Sequence, residues 1–78
     1  MSPRLPAVSG REAIAALERI GYRVVRQKGS HVRMRHPEPA VRKPVTIPLH
    51  RELRRGLLRT ALRDAGLSPA ELSDLLNR

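Results

Sequence analysis

Tyr22-Arg23-Val24-Val25-Arg26-Gln27-Lys28-Gly29-Ser30-His31-Val32-Arg33-Met34-Arg35-His36 is the stretch on which the fold turns. From His31 onward polar and apolar residues alternate. Val32 and Met34 fall on one side and His31, Arg33 and Arg35 on the other, the period of a strand buried on one face. The preceding run, Tyr22 to Lys28, carries Tyr22, Val24 and Val25. Between the two lies Gly29-Ser30, a polar join containing a residue that takes positive φ without steric cost. Two such runs joined at glycine read as a β-hairpin. Burying Val32 and Met34 then puts His31, Arg33 and Arg35 on the open face of the sheet.

Downstream, Pro37, Pro39 and Pro44 make a loop rather than a central strand. Val45, Ile47 and Leu49 alternate with Thr46 and Pro48 as a third short strand, and Pro48 suits a sheet edge, where no ladder donor is lost. Upstream, Ser9 followed by Glu12 is a capping box that opens a helix. Ala13, Ile14, Leu17 and Ile20 share one of its faces, and Gly21 ends it. A second helix spans residues 55–65, with Leu58, Ala61, Leu62 and Ala65 in one stripe and Gly66 as terminator. Ser68-Pro69-Ala70-Glu71 repeats the start signals, and Leu72, Leu75 and Leu76 give a last short helix an apolar edge. The expected architecture is α+β, α–β–β–β–α(–α): a small antiparallel three-stranded sheet with helices on one face. Residues 1–8, with two prolines, read as a loose arm, and residues 9–78 as one domain.

Composition narrows the chemistry. A chain of 78 residues has room for a surface site but not for a deep cofactor cavity. Without cysteine there is no disulfide, no thiolate nucleophile and no sulfur-ligated metal. The expected setting is the cytoplasm. The apolar runs are too short to span a bilayer, and Met1-Ser2-Pro3-Arg4-Leu5-Pro6 lacks a signal-peptide core. The net charge of +9 points to a polyanionic partner, nucleic acid first and an acidic protein second. Twelve of the sixteen basic residues lie between Arg19 and Arg59, against two acidic ones, Glu38 and Glu52, so the middle of the chain holds the entire excess. With one tyrosine, no phenylalanine and no tryptophan, stacking platforms for single-stranded bases are excluded.

Three histidines carry the remaining options. His31 and His36 are five apart on a strand and point to opposite faces, so no metal site is expected. His31 follows the turn, faces outward and sits among Arg26, Lys28, Arg33 and Arg35. A cationic field favours a neutral imidazole, the form a general base needs. From the residues alone, Gly29-Ser30 reads as turn chemistry and His31 as an ordinary surface histidine.

Val25-Arg26-Gln27-Lys28-Gly29-Ser30-His31, then His36-Pro37, Val45-Thr46-Ile47-Pro48-Leu49-His50, Gly56-Leu57-Leu58-Arg59 and Ala65-Gly66-Leu67-Ser68 together resemble the HicA toxin family. Ser9-Gly10-Arg11-Glu12 and Leu17-Glu18-Arg19-Ile20-Gly21-Tyr22 fit the same pattern, so the resemblance runs from Ser9 to Leu76. It implies a fold like that of double-stranded-RNA-binding domains and a ribosome-independent RNA endonuclease (an mRNA interferase) silenced by a HicB antitoxin. The family's catalytic histidine corresponds to His31. Residues 38–44 depart from the tighter turn that the family often has between its second and third strands.

RNA supplies its own nucleophile in such a reaction, and no cofactor is required. His31 would take the proton of a ribose 2′-hydroxyl, which attacks the adjacent phosphate. Arg26, Lys28, Arg33 and Arg35 would hold that phosphate, with Lys28, Gly29 and Ser30 nearest in sequence and Lys28 and Ser30 the preferred auxiliaries. His50, sharing parity with Thr46, is a candidate second group. The expected partners are mRNA and an acidic HicB-like antitoxin covering the His31 face, with no membrane. A non-catalytic RNA-binding module on the same basic face is the alternative, and a purely protein-docking surface a third reading.

Overall fold

Ser9 caps the first helix, α1 (Gly10–Arg19), in a computed structural model that describes residues 5–78. The Ser9 hydroxyl accepts from Glu12 N at 3.1 Å, and the Glu12 carboxylate accepts from Ser9 N at 2.9 Å. Two otherwise unpaired backbone donors are thereby satisfied. The buried side of α1 is Ala13, Ala16 and Leu17, while Ile14 and Ile20 are only half-buried. The helix is rotated toward Ala16 relative to the face read from the sequence, because Gly10 lets its first turn lie directly on the end of the third strand. A Cβ at Gly10 would stand 2.0 Å from Pro48 O, and Gly10 N donates to His50 O at 2.9 Å.

The hairpin forms as expected, with β1 (Arg23–Lys28) antiparallel to β2 (His31–Arg35). Gly29 has φ 57° and no non-glycine residue among those described has positive φ, which makes Gly29-Ser30 a two-residue II′ connection. β3 (Val45–Pro48) pairs antiparallel with β2, and the sheet order is β1-β2-β3, so Pro48 lies on an edge strand. α2 (Arg55–Ala65) and α3 (Pro69–Leu76) follow. Gly66 closes α2 in the left-handed conformation, and a second capping box, Ser68 with Glu71, opens α3. The helices cover one face of β2 and β3, giving the α+β sandwich. Val32, Met34, Val45 and Ile47 from the sheet meet Leu17, Leu58, Leu62 and Leu72 from the helices in one core.

Three features depart from the sequence reading. Val8, assigned to the arm, is buried in the core, and its carbonyl accepts from Leu53 N at 2.8 Å. The arm's first four residues lie outside the described residues. β1 contains a bulge between Val24 and Arg26, so its two adjacent valines break alternation rather than continuing it. The loop of residues 36–44 is tied down. Tyr22 Oη donates to Lys43 O at 2.6 Å, Lys43 N to Asp64 O at 2.8 Å, and Arg42 Nη1 to Ala65 O at 2.5 Å. His36 is part of that anchoring. Its Nδ1 accepts from Glu38 N at 3.0 Å, which makes Nε2 the donor to Ile20 O at 2.7 Å, and its ring meets Tyr22 edge-on.

Candidate active site on the open sheet face

The pairing register decides which side chains meet. Lys28 is directly opposite His31, Arg26 opposite Arg33, and Arg23 opposite Arg35. On the other side of β2, Pro48 is opposite His31 and Thr46 opposite Arg33. Val32 and Met34 are buried, so His31, Arg33 and Arg35, with Arg26, Lys28 and Thr46 beside them, face away from the helices, while Pro48 is buried at the end of β3.

The result is two rungs that set arginine against arginine, Arg26 with Arg33 and Arg23 with Arg35, and one that sets Lys28 against His31. Like charges directly opposite on a sheet destabilise it by a few tenths to about 1 kcal/mol per pair. Among the described residues none of these arginines is in an ion pair; the pair found, Asp74 with Arg78, is at the far end of the chain. A fold that tolerates such repulsion is suited to a polyanion that neutralises it.

Arg26, Lys28, His31, Arg33 and Arg35, all singled out from the sequence, line one open hollow of about 500 Å³. Val25 and Thr46 complete its lining. The bulge brings Val25 to this face beside Arg26, an arrangement signalled in the sequence only by the doubled valine. Thr46 accepts a 3.1 Å hydrogen bond from Arg33 Nη1, which fixes one guanidinium while leaving its remaining donors free. Among the described residues no carboxylate lines the hollow.

The other candidates are placed differently. Gly29 and Ser30 form the turn beside the hollow, and the Ser30 carbonyl is used by Leu49 N at 2.7 Å, tying the turn to the end of β3. His50 is exposed beyond β3 and does not line the hollow; its backbone carbonyl anchors α1. His36 belongs to the anchored loop. Among the described residues no group of three histidine or acidic side chains could hold a metal ion, and no helix is long and apolar enough to cross a membrane.

An outward imidazole framed by guanidinium and ammonium groups can take a proton from a hydroxyl while cations hold the neighbouring phosphate. Residues 10–67 match the family model described as "HicA toxin of bacterial toxin-antitoxin". No curated protein matches the chain.

Proposed function

Since the chain belongs to the HicA toxin family of bacterial toxin–antitoxin systems, we propose that it is an endoribonuclease acting through His31. The supporting observation is the convergence of His31 with Arg26, Lys28, Arg33 and Arg35 on one carboxylate-free surface. The His31 imidazole, acting as base, removes the 2′-hydroxyl proton. The 2′-oxygen bonds to phosphorus, the bond from phosphorus to the 5′-oxygen breaks, and the leaving oxygen takes up a proton. Lys28, directly across the rung from His31, supplies that proton. Arg33 and Arg26 hold the non-bridging oxygens as charge builds on them. The products carry a 2′,3′-cyclic phosphate and a 5′-hydroxyl, and DNA, lacking the 2′-hydroxyl, is not cut. An acidic HicB-like antitoxin lying over the same basic face would silence the enzyme by burying His31.

The test compares purified wild-type protein with His31→Ala on ribosome-free RNA, with EDTA present. Cleavage by the first and not the second, leaving cyclic phosphate ends, is the expected result. Ends bearing 5′-phosphate, or equal cutting by both proteins, would overturn the mechanism. RNA binding without cleavage by either would identify the basic face as a binding module alone.

A further inference from the structure

Arg33 and Thr46 each line a second hollow as well. It lies over the edge of β3, between that strand and α2, has a volume of about 350 Å³, and is open to solvent. Pro44, Val45, Leu57 and Ala61 give it apolar walls, and Asp64 and Thr60 contribute the polar groups beyond the shared pair. The two hollows are neighbours, with Arg33 and Thr46 between them. Thr46 is two residues along β3 from Pro48, the rung partner of His31, a separation of about 7 Å along the strand. That is within the reach of one nucleotide.

Asp64 is the informative residue. It is a half-buried carboxylate beside a cationic surface, yet among the described residues it makes no ion pair. It occupies the last turn of α2, where the helix dipole disfavours negative charge. It also stands next to a surface suited to a polyanion, where a carboxylate repels the ligand's backbone. Neither helix stability nor phosphate binding accounts for it. A carboxylate can only accept hydrogen bonds, so what it suits is a group presenting N–H donors. Building on the endoribonuclease reading, we propose that this hollow receives one unstacked base of the RNA, next to the cut phosphate, and selects guanine.

Guanine is the base with two adjacent N–H donors, N1–H and the 2-amino group, on one edge. A carboxylate accepts both at once. Adenine and cytosine offer one amino group beside a ring acceptor, and uracil one N–H between two carbonyls, which the carboxylate repels. Pro44 and Leu57 would hold the base by its faces, replacing the aromatic stacking that this chain cannot provide. The phosphate group goes to Arg33, whose guanidinium borders both hollows.

The test measures binding and cleavage separately. His31→Ala protein is titrated with short labelled oligoribonucleotides differing at one position: guanine, adenine or hypoxanthine, the last lacking only the 2-amino group. Guanine is expected to bind roughly tenfold more tightly than adenine, with hypoxanthine between them. Asp64→Asn, nearly the same size and leaving the Lys43 N to Asp64 O bond in place, removes the preference. Wild-type protein is then given a long transcript, and its cut sites are mapped. Cuts beside guanine, with that bias lost in Asp64→Asn, support the pocket. Cleavage without guanine bias, or a guanine preference that survives Asp64→Asn, overturns it. Guanine-selective binding without any cleavage by wild-type protein would overturn the endonuclease reading and leave the pocket standing.

Discussion

Arg26→Thr should make the protein more stable and worse at holding RNA. Arg26 is exposed and faces Arg33 directly across the hairpin, with Arg35 diagonal to it on β2 and Lys28 two residues along its own strand. Two unit charges ~6 Å apart in water repel by about 0.7 kcal/mol, and like-charged cross-strand pairs cost about 0.2–1 kcal/mol. Threonine removes the repulsion and fits a strand better than arginine does. The expected gain is about 0.5–1 kcal/mol, or roughly 2–8 °C in Tm for a domain of this size. Thermal unfolding by circular dichroism at low salt and in 1 M salt reads it. The charge part of the gain should fade at high salt, where the screening length falls to about 3 Å. In a double-mutant cycle with Arg33→Thr the two gains should be less than additive, since each removes the same repulsion. In parallel, the slope of log affinity for single-stranded RNA against log salt should fall by about 0.7, one phosphate contact. A variant that is less stable at low salt, or whose gain ignores salt, would refute the account of the face as a like-charged surface awaiting a polyanion. An unchanged RNA slope would remove Arg26 from the binding surface.

Glu12 and Glu71 are both held below the usual carboxylate range, chiefly by backbone hydrogen bonds from Ser9 and Ser68 respectively. Because the folded values are depressed, their contribution is present above the unfolded value of about 4.3 and lost as pH falls through the folded ones. Stability should therefore decline below about pH 4.5, and the decline should be shallower in Glu12→Gln with Glu71→Gln, measured by unfolding across pH 2–7. Tyr22 is shifted the other way, upward, by burial first of all. Its contribution holds below about pH 10 and is lost above it, so Tyr22→Phe should flatten the alkaline limb while costing about 1 kcal/mol at neutral pH for the bond to Lys43 O. Gly10→Ala should destabilise by more than 1 kcal/mol, since its Cβ meets backbone at Pro48 rather than a side chain that can turn away; a neutral result in denaturant would contradict the close contact. Deleting residues 67–78 removes Leu67, Leu72 and Leu75 from the core and should abolish the cooperative unfolding transition.

Local signals made most of this architecture legible. Both capping boxes, the Gly29 turn, the β2 alternation and the α2 stripe each lie within a few residues of chain, and each is found where its pattern puts it. The features that escaped reading depend on distant partners. Val8 is buried because the segment before α2 comes back to meet it through Leu53 N. The α1 face is displaced because Gly10 lets backbone approach backbone across forty residues of chain. The candidate site divides in the same way. The histidine and its cations lie on one hairpin, and their grouping follows from parity alone. The position of His50 was not given by parity, since the strand ends at Pro48 and the chain turns toward α1. Thr46 and Asp64 share a hollow only because α2 packs beside β3.

The face carrying His31 is spelled out early in the chain and is complete at Thr46, but the residues that hold the sheet in shape come afterwards. Leu58, Ala61, Leu62, Ala65 and Leu72 supply the layer on which Val32, Met34 and Ile47 rest. A three-stranded sheet without that layer has no buried face and is marginal in water. During synthesis the chain therefore contains every residue of this basic face well before it can hold that face rigid.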